Sequence, residues 1–217
     1  MNRAPTPQKG DPKTLISQDG AAPQINLFLP KKHMEPNTNN RTIYNPVQKD
    51  YVTFLKTSAE TNGAFTFIEC SVAPGGGVGL HYHKTYEETF EPLEGILSVE
   101  CNGVAKQYGV GESVTAGRRM NHRFFNEMEQ ECRFLCKMTP GQPGLEAALQ
   151  IGYGLARDGK TNKGLPKDPQ VLAYLIQLSE TNLPGWRSVF EWILRWQARS
   201  FIKKGGEKGL RETYVQI

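Results

Sequence analysis

The stretch Gly75-Gly-Gly-Val-Gly-Leu-His81-Tyr-His83-Lys-Thr-Tyr-Glu-Glu88-Thr-Phe-Glu-Pro-Leu-Glu-Gly95 decides the architecture. Side chains two apart on a strand point the same way, so His81 and His83 present two imidazoles to one side and Tyr82 points to the other. A carboxylate five residues after His83, on the returning strand, completes a third corner. The glycine run lacks the Gly-Lys-Ser/Thr end of a phosphate-binding loop, and a strand follows where such a loop needs a helix. These glycines are expected to make the turn that feeds His81.

Outward from this segment the chain reads as a series of short strands: 50–57, 65–72, 95–101, 104–110, 112–116, 122–128 and 131–138. Alternation is visible in them, β-branched and aromatic residues are enriched, and Gly or Asn punctuates the gaps. Asn102-Gly103 marks a tight hairpin, since both central residues of that turn take positive φ. Strands at this spacing predict a sandwich or a closed barrel. With no internal repeat and one His-x-His, a single barrel is expected. His122 opens a separate strand, and closure of the barrel brings it to the same interior point as His81, His83 and Glu88. Three neutral imidazole nitrogens with one carboxylate suit a first-row divalent metal and leave one or two positions for water or substrate.

The spacing Gly75-x5-His81-x-His83-x4-Glu88-x6-Gly95 resembles the first motif of the cupin family at every anchor. Gly111, His122 and Asn126 fit its second motif. There, Gly117 stands where Pro is usual and Arg119 where Gly is usual. The resemblance spans roughly residues 50–140. It implies a mainly β fold, a double-stranded β-helix (jelly-roll-like) barrel of six to ten strands with the metal inside, and frequently a homodimer. The implied ligands are His81, His83, Glu88 and His122, with the six-residue gap to Gly95 favouring Glu88 over Glu87. The implied cofactor is one divalent transition metal ion: iron, manganese, nickel, zinc or copper. The fourth histidine, His33, is read as solvated.

Around the ligands, Tyr86 is read as lying either near the metal or in the core or an interface. Asn126 belongs to the fold or backs the ligands. Arg118, Arg119 and Arg123 are candidates to draw an anionic small-molecule substrate to the mouth, against the plainer reading of a solvated loop. Cupins that share such a ligand set include dioxygenases, isomerases, decarboxylases and epimerases, so the ligands define a site and not a reaction. A metal-dependent oxygenase or isomerase acting on a small polar metabolite is expected, with a non-catalytic ligand-binding or sensing module as the alternative.

Three regions are expected: a loose N-terminal arm (1–40), the barrel (41–140) and a helical C-terminal extension (141–217). Helices are predicted over 145–156, entered through Pro143, from Asp168-Pro169 to about Glu180, and over 186–202. On the last, Arg187, Glu191, Arg195 and Arg199 form a charged stripe, and Trp186, Phe190, Ile193, Leu194 and Phe201 an apolar face. From Trp186 onward there are seven basic and three acidic residues, which accounts for the whole formal charge of +4. The barrel therefore gives no electrostatic reason to expect nucleic acid. The tail, with Trp186, Trp192 and Trp196 among its basic residues, reads either as packed on the barrel or dimer or as membrane-surface binding. The beginning of the chain lacks the apolar stretch of a secretory signal, and Cys70, Cys101, Cys132 and Cys136 read as reduced thiols, so a cytoplasmic address is expected.

Overall fold

Along the strand Cys132–Thr139, residues Cys132, Phe134, Cys136 and Met138 are buried while Arg133 is exposed and Leu135 and Lys137 are half-buried, the period of two that a sheet with one covered face imposes. The computed structural model describes residues 41–185 and 190–217. The expected N-terminal arm and the expected helix start at Trp186 lie outside the described residues. Among the described residues, nine strands precede the α-helices: β1 (Thr42–Asn45), β2 (Asp50–Lys56), β3 (Thr66–Val72), β4 (Glu87–Glu94), β5 (Leu97–Cys101), β6 (Val104–Tyr108), β7 (Val114–Ala116), β8 (His122–Phe125) and β9 (Cys132–Thr139). Among the described residues they form a six-stranded sheet, β1-β2-β3-β9-β4-β7, and a three-stranded sheet, β6-β5-β8, antiparallel throughout.

The inner faces share one core, in which Phe54, Phe90 and Phe134 from the larger sheet meet Leu97 and Val99 from the smaller. Phe90, Phe124 and Phe134 contact one another with centroids 5.0–6.2 Å apart. Each fully buried ring contributes about 1.5–3 kcal/mol. The Asn102-Gly103 hairpin joins β5 and β6 with both residues at positive φ, as its chemistry predicts. Strand β8 stops at Phe125 instead of running to 128. Asn126 turns the chain there, its side-chain oxygen accepting from the Met128 N–H and its amide donating to the carbonyls of Val72 and Gln130.

The helices follow: α1 (Pro143–Arg157), the short strands β10 (Thr161–Asn162) and β11 (Leu165–Pro166), α2 (Pro169–Leu178), α3 (Glu191–Lys203) and α4 (Gly206–Tyr214). Helix α1 is two-faced. Leu145, Leu149 and Tyr153 pack on the barrel core, and Ala148, Ile151 and Leu155 join a second core with α2, α3 and α4. Its buried Glu146 accepts from the Ser58 N–H and the Thr66 hydroxyl, which ties the helix to the strands. Asp168 caps α2 by accepting from the Gln170 N–H, as predicted. This helix ends at Leu178, before the expected Glu180, because Glu180 adopts φ 51°, in the left-handed region that terminates helices.

Candidate metal centre

The site lies between the two sheets. From the larger sheet, β4 places Glu88 in the buried row with Phe90, while neighbouring Glu87 falls on the opposite face. From the smaller sheet, β8 begins with His122. The segment before β4 runs antiparallel to β8: Gly77 bridges Phe125, and His81 and His122 exchange both backbone hydrogen bonds. The glycine at 77 is required twice over. Its φ is 149°, and a Cβ there would meet the Phe124 carbonyl oxygen at 2.5 Å. Direct pairing puts the His81 and His122 rings 4.4 Å apart, and the His83 ring sits 4.8 Å from His81.

One ligand atom from each of His81, His83, Glu88 and His122 lies within 4.8 Å of the others. Each imidazole is oriented from behind. Nδ1 of His81, His83 and His122 faces the backbone carbonyls of Gly79 (2.7 Å), Glu180 (3.2 Å) and Met120 (2.9 Å). A carbonyl only accepts, so each Nδ1 carries hydrogen, and that leaves Nε2 as the nitrogen with a free lone pair. Nε2 of His122 is 2.9 Å and Nε2 of His83 3.7 Å from the Glu88 carboxylate. His83, Glu88 and His122 are buried and His81 is partly exposed, so the cluster opens on the His81 side. The donor set is compatible with a metal ion.

Burial lowers the imidazoles of His81 and His83, the latter to about 4 despite the nearby Glu88 charge. Burial alone would raise the Glu88 carboxyl, but the hydrogen bond from His122 and the histidine charges outweigh it and hold it at about 2. Burial likewise opposes protonation of His122, and its bond to Glu88 prevails, raising it above the ordinary histidine value. The carboxylate of Glu88 and the ring of His122 thus favour each other's charged forms, while burial disfavours charge on His81 and His83.

Tyr86 is fully buried and stacks on His83 at a centroid distance of 4.1 Å. Its hydroxyl donates to the Ser179 carbonyl (3.0 Å) and lies 3.2 Å from His83 Nε2. Burial pushes this phenol well above its ordinary range. Tyr82, expected from its place between the two histidines to point away from them, pairs by backbone with Asn182. Arg119 lines an open pocket of about 420 Å³ with Tyr82, Lys84, Asn121 and the 183–185 segment. Arg118 is exposed. Arg123 is committed elsewhere, paired with Glu100 at 2.7 Å and lying over the Phe125 ring. Asn126 spends its side chain on backbone groups and makes no bond to the cluster.

Sequence reasoning did not find the segment 179–182. Besides accepting from His83 and Tyr86, it is held by Asn182, whose amide donates to the carbonyls of Glu180 (2.7 Å) and Tyr82 (3.3 Å). Thr85 donates to the Glu180 carboxylate. The left-handed turn at Glu180 aims its carbonyl at His83, and no local signal in the chain reveals a partner 97 positions away.

Residues 68–138 match the family model described as Cupin domain, and the barrel of this chain is a cupin domain. No curated protein is significantly similar to the chain. Among solved structures, a predicted oxalate decarboxylase from Thermotoga maritima is 24% identical over 42% of this chain and 80% of its own, with a TM-score of 0.40. The polyketide cyclase RemF from Streptomyces resistomycificus is 26% identical over 43% and 67%, with a TM-score of 0.39. A sugar phosphate isomerase of the cupin superfamily from Silicibacter pomeroyi is 22% identical over 43% and 60%, with a TM-score of 0.37.

Proposed function

We propose that His81, His83, Glu88 and His122 hold one divalent transition metal ion, and that the chain is a metal-dependent enzyme of oxygenase or isomerase type acting on a small polar metabolite. The observation that carries this is the convergence of three backbone-oriented imidazoles and one carboxylate within 4.8 Å. A bound ion would supply Lewis-acid polarisation of an oxygenated ligand, or a place for dioxygen beside it. The chain's own residues do the rest. The backbone carbonyls of Gly79, Glu180 and Met120 fix the imidazole planes. The buried Phe90 and Phe134 exclude water from beneath the site. With His83 Nε2 committed as a ligand, Tyr86 donates to Ser179 alone, and its raised pKa keeps the phenol protonated as a donor. Arg119, without a carboxylate partner among the described residues, offers a positive charge to an anionic substrate in the pocket it shares with Tyr82, Lys84 and Asn121, the chain neighbours of His81, His83 and His122.

The second reading, a small-ligand-binding or sensing cupin without turnover, is favoured by the lack, among the described residues, of an acid–base group bonded to the cluster other than Tyr86. Metal content by elemental analysis, on protein purified without an affinity tag and beside a His81→Ala/His83→Ala variant, tests the site. Near-stoichiometric metal in the wild type and none in the variant is expected. No metal after reconstitution sinks the metal-dependent reading. Oxygen-uptake and isomerase screens on the loaded protein then separate the two readings.

A homodimer is part of the proposal, and light scattering on the purified protein checks it. A cytoplasmic address is supported by four unpaired cysteines. No helix among the described residues is long and apolar enough to cross a membrane.

A further inference from the structure

Helix α3 turns two tryptophans outward. Leu194, Ala198 and Phe201 face the helical core, and Glu191 turns inward to Lys84 at 3.3 Å. On the other side, Trp192 and Trp196 are 70% and 66% exposed. Residues three, four and seven apart share a helix face, so Trp192, Trp196, Arg199 and Lys203 form one stripe on α3. No carboxylate lies in this stripe, and Arg199 and Lys203 have no ion-pair partner among the described residues. Two large aromatic rings one turn apart make a contiguous apolar patch rimmed by charge, the kind of patch that marks an interaction surface. The apolar face expected from the sequence is thus only part of this helix's apolar content: Leu194 and Phe201 are packed, and the tryptophans are not.

We propose that this stripe docks the protein on an anionic lipid surface. Indole rings settle at the headgroup level, apolar body inward and N–H toward water, and guanidinium and ammonium groups bind the anionic headgroups beside them. Charge complementarity favours this occupant over a second copy of the chain. A two-fold contact through this stripe gathers two copies each of Arg199 and Lys203 into one interface with no acidic residue of the stripe to offset them. The whole net charge of +4 resides in the segment that carries the stripe, so the surface potential orients α3 toward the membrane. The inference is independent of the metal reading.

The test is co-sedimentation of the full chain with vesicles of zwitterionic lipid alone or with about one-third anionic lipid, with tryptophan emission recorded in parallel. Binding to the anionic vesicles alone is expected, with a blue shift in emission. Trp192→Ser/Trp196→Ser and Arg199→Ser/Lys203→Ser should each lower partitioning by about tenfold or more, and 0.5 M salt should weaken it severalfold. All four side chains reach solvent, so both variants should keep the wild-type circular dichroism spectrum and melting temperature, which separates lost binding from lost fold. No binding by the folded wild type overturns the proposal, and so does binding that both variants retain. A dimer that the tryptophan variant dissociates, without vesicle binding, assigns the stripe to a second copy. Capture of a single-stranded oligonucleotide in place of vesicles assigns it to nucleic acid. Either of these results overturns the lipid assignment.

Discussion

Arg119 takes φ 63° at the position where the second cupin motif has glycine. The loop keeps its shape regardless: the Arg119 N–H donates to the His83 carbonyl at 2.7 Å, and Met120 closes the turn on Gly117. A non-glycine residue in this conformation stores about 1–2 kcal/mol, part of which glycine's own entropy cost offsets. Arg119→Gly should therefore stabilise the protein by about 0.5–1 kcal/mol in urea unfolding, while raising KM for an anionic substrate if turnover is found. The convergence of His81 and His83 was legible from the period of two on a strand, whereas Glu88, favoured over Glu87, and His122 were reached through the spacing of the two cupin motifs. Tyr86 could not be placed from sequence, because its partner Ser179 is brought to it only by the helical extension. Metal uptake should also depend on pH. His122 holds its proton more tightly than an ordinary histidine, so below its raised pKa the proton competes with the ion and affinity falls. Calorimetry in two buffers of different ionisation enthalpy should show a proton released per metal bound near pH 6.

At the scale of elements, strands were read well wherever alternation and turn chemistry agreed, as at the β5–β6 hairpin. Their ends were read less well, because Asn126 and Glu112 use side chains to stop what propensity would continue. Helix α4 was not anticipated. Its start at Gly206 follows a left-handed Gly205, and what holds it is distant: the Tyr214 ring lies against Gly154 of α1 and its hydroxyl donates to Asp158. A Cβ at 154 would meet that ring at 2.2 Å. Gly154→Ala should displace α4 and cost about 1–3 kcal/mol, visible as a lowered urea midpoint and altered near-ultraviolet dichroism. A second link joins β2 to α1, where Tyr153 donates to Asp50 at 3.0 Å. Burial raises Asp50 to about 6 despite that bond, so the folded state holds the proton more tightly than the unfolded chain. Stability should then grow as pH falls from about 7 toward 4, by about 1 kcal/mol after solvent screening. In Asp50→Asn this part of the pH dependence should vanish.

Across the whole molecule, the helical extension is part of the candidate centre, since the Glu180 carbonyl orients His83. Asn182→Ala, which frees that carbonyl, should lower metal affinity about tenfold in competition with a chelator while the barrel stays folded. The same long-range bond imposes an order of events on a growing chain. His81, His83 and Glu88 emerge together and His122 follows 34 positions after Glu88, but Glu180 comes 97 positions after His83. During synthesis, a barrel that closes early presents all four side chains while His83 still lacks its anchor, so any ion bound then would meet a looser cage. Helices close largely through local contacts, whereas docking them across a finished sheet waits on the rest of the chain. If the proposed ion is bound, arrival of the extension is the step that gives His83 its carbonyl anchor and completes the cage. On the proposed reading, the ion retained would then depend on what surrounds the protein when the last helices dock.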